Sequence, residues 1–297
     1  MLSGTLYNRL AEYAEEILGD YRCEFRTNPS TIDHIFTIRQ IQEKAYEYNI
    51  HLHNLYIDFK QAFDSVNRSR MLNDLTLLGI PKKLTKLVGV TMAGPRATVR
   101  VDNQYTPTFP ITHGVTQGDA LSCILFDLVL EAITRKLNIT GHIGTKSTQI
   151  FAYADVVAIL NRNKNTLKDA LGNTESEARK RGLLINENKT KYMEVTRTVV
   201  NGNHLQCGKY ELEPVKELPY LDSQLTETNP INCEIQARTV SANRCYCSCG
   251  ALIKSRALNR GLKIKLYTTP IRCAVTYGCN STRCKWNLEN QKEPRTE

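Results

Sequence analysis

Apolar residues along this chain change period several times, from every third or fourth position to every second one and back. Over residues 31–48, Ile32, Ile35, Ile38, Ile41 and Ala45 lie on one stripe and predict a helix that Ser30 or Thr31 can cap. The run Leu55-Tyr56-Ile57 follows, extended and apolar, and reaches Asp58. Residues 71–79 read as a helix stopped at Gly79-Ile80-Pro81, where Pro81 opens a second helix carrying Leu84, Leu87, Val88 and Met92. Ala97 to Val101 alternates as a strand does, with Asp102-Asn103 as a turn before another extended piece.

The strongest helical signal covers 119–137, where Leu121, Ile124, Leu125, Leu128, Val129, Ala132, Ile133 and Leu137 recur at helical spacing. Such a helix must pack against something flat and apolar. Two short strands, Ile150 to Tyr153 and Val156 to Leu160, supply that surface, with Ala154-Asp155 at the bend between them. A helix over 166–181 ends at Gly182, and strands follow at 183–186 and 191–195. The order predicts an α+β fold, helices laid on a small antiparallel sheet.

At 297 residues, 41% hydrophobic and 23% charged, the chain is long enough for two or three subdomains sharing a core. No apolar stretch approaches the roughly 18 residues a membrane span needs. Arg9, Glu12, Glu15, Glu16 and Asp20 interrupt any secretory signal, so the expected location is intracellular, nucleus or cytoplasm, with no membrane partner. The net charge of +9 concentrates at the end, where residues 251–297 hold ten Lys and Arg against three Glu. A basic surface of this kind attracts nucleic-acid phosphates, although a merely solvated face fits the charge as well. The ten cysteines read as free thiols: Cys245, Cys247 and Cys249 have C-x-C-x-C spacing rather than the C-x-x-C of structural zinc.

Asp58 and Asp155 share one context, since each ends or interrupts an apolar strand. A carboxylate beside a core needs a positive partner, and Mg²⁺ takes one or two carboxylates plus waters and substrate phosphates. Two such ions about 3.5–4 Å apart stabilise in-line displacement at phosphorus. A turn residue at 155 and a helix cap at 58 is the alternative. Residues His113 to Asp119 (HGVTQGD) join an extended piece to the long helix, with glycines that permit close approach and a Gln able to hydrogen-bond a base or sugar.

Taken together, Tyr56-Ile-Asp58-Phe-Lys-Gln-Ala-Phe-Asp64, Gly114-Val-Thr-Gln117-Gly118-Asp-Ala-Leu-Ser122, Phe151-Ala-Tyr-Ala-Asp155, Gly182-Leu-Leu-Ile-Asn-Glu-Asn-Lys189-Thr-Lys191 and Tyr220-Leu221 resemble the successive blocks of a non-LTR retrotransposon reverse transcriptase. The likeness runs from Tyr21 to about Gly278. It implies a right-hand polymerase: partial fingers over 1–52 with an insertion at 67–112, palm over 53–66 and 113–225, and a basic helical thumb over 226–297. It further implies two Mg²⁺ ions on Asp58, the Phe59 carbonyl and Asp155, and a steric gate at Phe63, a position a plain core phenylalanine also fits. Gln117 and Gly118 would contact nucleotide and template, and Arg26 a phosphate. Lys189 would neutralise the leaving pyrophosphate, with Lys191 competing for that role, and Tyr220-Leu221 would begin the primer grip. RNA template, DNA primer and dNTP are the implied partners.

The chain also departs from the pattern. The block that normally reads Tyr-Ala-Asp-Asp here ends in Val156, one carboxylate short, and Glu24, Pro29, Thr116 and Asp222 replace residues common in the family. With its start inside the fingers and no endonuclease or zinc-knuckle region, the chain resembles a truncated copy. The expected function is RNA-directed DNA polymerisation impaired by Val156, or else a non-catalytic nucleic-acid-binding remnant.

Overall fold

The computed structural model describes residues 2–19, 22, 31–137, 148–197, 204–228 and 231–277. In chain order the elements are α1 (Leu2–Ile17), α2 (Thr31–Glu47), β1 (Leu52–Lys60), α3 (Ala62–Ser65), α4 (Arg68–Leu77), α5 (Lys82–Thr91), β2 (Arg96–Ala97), β3 (Arg100–Val101), β4 (Gln104–Tyr105), β5 (Phe109–Pro110) and α6 (Ala120–Thr134). There follow β6 (Thr148–Tyr153), β7 (Val156–Asn161), α7 (Lys164–Lys180), β8 (Leu184–Ile185), β9 (Lys191–Val195), the hairpins β10 (Leu205–Cys207) with β11 (Tyr210–Leu212) and β12 (Glu217–Tyr220) with β13 (Ser223–Thr226), then α8 (Ile231–Lys254), α9 (Arg260–Leu266) and α10 (Arg272–Thr276).

Two compact units divide the chain: residues 1–29, 51–194 and 200–214 form one, and 30–50, 195–199 and 215–297 the other. The first unit holds the five-stranded sheet, in which β6, β7, β1 and β8 follow one another and β9 also pairs with β1. β7 runs antiparallel to both neighbours, in the register His53↔Asn161 through Asp58↔Val156 on one side and Thr148↔Asn161 through Tyr153↔Val156 on the other. Because side chains alternate across a strand, Leu55, Ile57 and Phe59 enter the main core with Ala152, Val157 and Ile159. Tyr56 and Asp58 therefore lie on the opposite face, with Tyr153 and Val156 beside them in register.

Helix α6 forms the centre of the helical layer and touches α1, α4 and α7. It is buried almost all round, so its polar residues need partners. Asp127 forms an ion pair with the fully buried Arg22, and Glu131 accepts from Arg135 Nε at 2.8 Å. Burial still pushes the Asp127 carboxyl up to about 6, against the pull of Arg22. The predicted helix over 119–137 is α6, capped by the Asp119 carboxylate and followed by a tight turn over Arg135–Leu137. Two short ladders replace the single strand predicted over 97–101. The Arg96↔Pro110 and Arg100↔Tyr105 pairings are offset by one residue, and the Val99 amide turns to the Thr106 hydroxyl at 3.0 Å instead of a neighbouring strand.

In the second unit a buried arginine joins three elements. Arg39 of α2 donates to Ser223 Oγ at 2.9 Å and the Gln224 carbonyl at 3.0 Å, and pairs with Glu234 of α8 at 3.3 Å. Glu234 also accepts from the Gln224 amide at 2.6 Å and from Arg238 Nε at 2.7 Å. The helical character expected of the C-terminal region is present in α8 to α10.

Candidate active site

The β6–β7 hairpin turns on two residues, Ala154 and Asp155, with Ala154 at φ 46°. This turn sets Asp155 beside the end of β1, where Asp58 sits directly across from Val156. The two carboxylates interact. Burial pushes the Asp58 carboxyl above the usual carboxylate range and the Asp155 charge adds to the rise, while Lys189 and a hydrogen bond with the Asn186 side chain oppose it. Among the described residues Asp58 Oδ1 is buried without a hydrogen-bond partner. An orphaned carboxylate oxygen next to a second acid is what a divalent cation would satisfy, so the residues fit such an ion. The donor set is small: among the described residues no group of three or more His, Cys, Asp or Glu is arranged to hold a metal.

The loop after β8 holds Asp58 from two directions. The Asn186 amide donates to the Asp58 carbonyl at 2.8 Å, and the Asp58 amide donates to Thr190 Oγ1 at 3.3 Å. Asn186 and Thr190 thus fix the strand end that carries the acid, a role the sequence reading did not give them. Lys189 is exposed on the same loop, which positions its charge near the acids without a direct ion pair.

The segment leaving β1 is locked by backbone contact. Gly114, at φ +81°, donates its amide to the Val66 carbonyl at 2.8 Å, and a Cβ there would stand 2.6 Å from the Asp64 carbonyl oxygen. Gly182, at φ +86°, approaches from the other side, where a Cβ would stand 2.3 Å from the Ser65 carbonyl oxygen. The neighbouring Arg181 carbonyl accepts from the Asn67 amide at 2.8 Å. Only glycine allows either approach. Two arginines complete the clamp. Arg181 is buried and grips Asp74 with Nε at 2.7 Å and Nη2 at 3.2 Å, while Arg68 donates to the carbonyls of Gly114, Met92, Ile111 and His113. Phe63 stacks on Phe126 of α6 at 4.7 Å between ring centroids, so its ring has a fixed seat at the rim of the core.

Other predicted residues are less gathered. Gln117 and Gly118 are exposed, with Gly118 at φ +85° and open space around it. Phe59 has a buried side chain and pairs with Ile185 of β8. Arg26, Glu24 and Pro29 lie outside the described residues. Tyr220 and Leu221 belong to the second unit, at the β12–β13 turn, where Leu221 and Asp222 take φ 47° and 60° and the Leu221 carbonyl accepts from the Tyr277 hydroxyl at 2.9 Å. Asn186 and Thr190 were findable only as polar residues next to Lys189. Nothing in the local sequence marks Arg181 as buried or Arg68 as the collector of four backbone carbonyls.

A sequence profile of the family described as "Reverse transcriptase (RNA-dependent DNA polymerase)" matches residues 1–224. The chain is 30% identical over 168 residues to the "Retrovirus-related Pol polyprotein from type-1 retrotransposable element R2" of Popillia japonica, covering 55% of this chain and 23% of that protein. It is 28% identical over 197 residues to the polyprotein of type-2 retrotransposable element R2DM from Drosophila melanogaster, covering 62% and 19%. The chain thus spans less than a quarter of the length of these relatives. Telomerase from Candida tropicalis, solved with the TWJ fragment of telomeric RNA, aligns with a TM-score of 0.59 at 12% identity over 97% of this chain and 47% of its own, a likeness of fold. Apo telomerase from the same organism aligns with a TM-score of 0.56 at 13% identity, over 99% of this chain and 51% of that one.

Proposed function

The chain belongs to the reverse transcriptase (RNA-dependent DNA polymerase) family, and on that premise we propose that it extends a DNA primer on an RNA template as the polymerase domain of a non-LTR retrotransposon. The observation that carries the proposal is the proximity of Asp58, at the end of β1, to Asp155, in the β6–β7 turn, with an Asp58 oxygen that is buried and unpartnered among the described residues. Bound Mg²⁺ would supply charge stabilisation for in-line displacement at the α-phosphate by the primer 3′-hydroxyl.

The chain's own residues do the positioning. Asp58, the Phe59 carbonyl and Asp155 would hold the cations. Asn186 and Thr190 keep Asp58 aimed, and Lys189 meets the negative charge that gathers on the departing pyrophosphate. Phe63, braced by Phe126, fills the space a ribose 2′-hydroxyl would need. Gln117 and Gly118 meet nucleotide and template, Arg26 a phosphate, and Tyr220-Leu221 the primer end. In this scheme residues 1–52 and 67–112 serve as fingers, 53–66 and 113–225 as palm and 226–297 as thumb.

Val156 weakens the chemistry. It faces Asp58 across the β1–β7 ladder, so the side chain that would carry a third carboxylate is apolar. Losing one preorganised charge of this kind costs about 10²–10³ in rate. Primer extension on an RNA template tests this. Val156→Asp is expected to raise extension by about that factor. Robust extension by the unmodified chain would refute the impairment. Absence of extension in both, with binding that weakens steeply as salt rises, would instead establish a non-catalytic nucleic-acid-binding protein. Among the described residues no helix is long and apolar enough to cross a membrane.

A further inference from the structure

Residues 96–111 form a hairpin arm with no interior. Every residue from Thr98 to His113 is exposed, including Val99 at 48%, Val101 at 58%, Tyr105 at 67% and Phe109 at 44%. A two-stranded hairpin without a packed face is marginal by itself. This one is held at its two ends. At the tip, Asp102 and Asn103 take φ 46° and 70°, the left-handed pair that a tight hairpin turn requires, and the Arg100 guanidinium hydrogen-bonds the Asn103 side chain. At the root, the Arg68 guanidinium collects the carbonyls of Met92, Ile111, His113 and Gly114 at 3.2, 3.0, 3.2 and 2.7 Å. The root is therefore tied to the same Gly114 that presses on Asp64, six residues beyond Asp58.

A rigidly rooted arm with large exposed side chains is built to meet something. Its chemistry selects the partner. Arg96 and Arg100 face a single acid, Asp102, between residues 96 and 113. Arg100 lies over the Tyr105 ring at 6.0 Å, its cross-strand partner, so one face offers a guanidinium and an aromatic plane together. Guanidinium beside exposed ring is the combination that grips a strand with splayed bases, phosphates on the cations and bases on the ring. A duplex, whose bases are already stacked on each other, cannot use the ring.

We propose that the 96–111 arm is a binding surface for single-stranded nucleic acid, engaging phosphates through Arg96 and Arg100 and stacking a base on Tyr105. The proposal rests on the polymerase reading above and adds to it a surface separate from the acid pair. The test is fluorescence anisotropy with the full chain and two labelled probes, a ten-nucleotide single-stranded RNA and a blunt duplex of the same length. Tyr105→Ala is expected to weaken single-strand binding by about tenfold and leave duplex binding unchanged. The double variant Arg96→Ala/Arg100→Ala is expected to lower the salt slope for the single strand by about 1.4. None of these side chains is buried, so the variants fold. Wild-type binding that survives all three substitutions overturns the arm's role alone and leaves the polymerase reading standing. A wild-type chain that binds neither probe overturns the polymerase reading and the arm together.

Discussion

Two segments of the first unit leave the sheet region by different physical means. Residues 61–67, just after Asp58, are pressed between Gly114 and Gly182 at distances that exclude a single methyl group. Residues 96–113 touch little besides Arg68 at their root. The first segment is positioned by backbone against backbone, which leaves it one arrangement. The second is positioned only at its base, which leaves its side chains free for a partner. The contrast separates what holds the acids from what remains available to bind.

That contrast makes graded predictions. Gly182→Ala is expected to cost most, about 3–5 kcal/mol, combining a left-handed backbone with a Cβ forced onto the Ser65 carbonyl. Gly114→Ala should approach it. Gly118→Ala, equally left-handed but in open space, should cost only about 1–2 kcal/mol. Urea unfolding midpoints rank the three, and equal costs at 182 and 118 would contradict the backbone clamp. Arg181→Met is expected to cost about 3 kcal/mol, since it leaves the buried Asp74 carboxylate only the longer Arg70 contact at 3.6 Å. In the arm, Tyr105→Ala should change stability by less than about 0.5 kcal/mol, which thermal unfolding checks.

The smallest effect is a pH dependence at the far end of β1. Burial holds the His53 pKa below its ordinary value, although Glu194 opposes that, and the ring hydrogen-bonds the Tyr192 hydroxyl at 2.7 Å. A histidine whose folded pKa is lowered binds protons more readily when unfolded. Its stabilisation is complete above about pH 6.5 and is lost as pH falls through the unfolded and then the folded pKa. The His53 contribution therefore declines from pH 7 to pH 5 while the raised Asp127 carboxyl works in the opposite direction, and the difference between wild type and His53→Gln in urea titrations isolates the histidine's part.

Much of this was legible in the sequence where one element's own pattern sufficed. The helix expected over 166–181 is Lys164–Lys180, and the strands expected at 150–153 and 156–160 are Thr148–Tyr153 and Val156–Asn161. Strongly apolar runs with clear turn residues announce themselves. The exposed 96–110 ladder, by contrast, has no buried face to fix its register, so alternation alone overstated it. Net charge is silent about burial. Arg22, Arg39 and Arg181 count toward the +9 balance as if they faced solvent, yet each is buried against a carboxylate distant in the chain. No local pattern reveals such a partner. The same holds for Asn186 and Thr190, whose work depends on β8 lying beside β1.

In the proposed function Asp58 and Asp155 form one cation pocket. Mn²⁺ titration followed by electron paramagnetic resonance measures this without turnover. Mn²⁺ binding to the full chain is expected to weaken at least about tenfold in both Asp58→Asn and Asp155→Asn and to tighten in Val156→Asp. Wild-type affinity in either asparagine variant would contradict it.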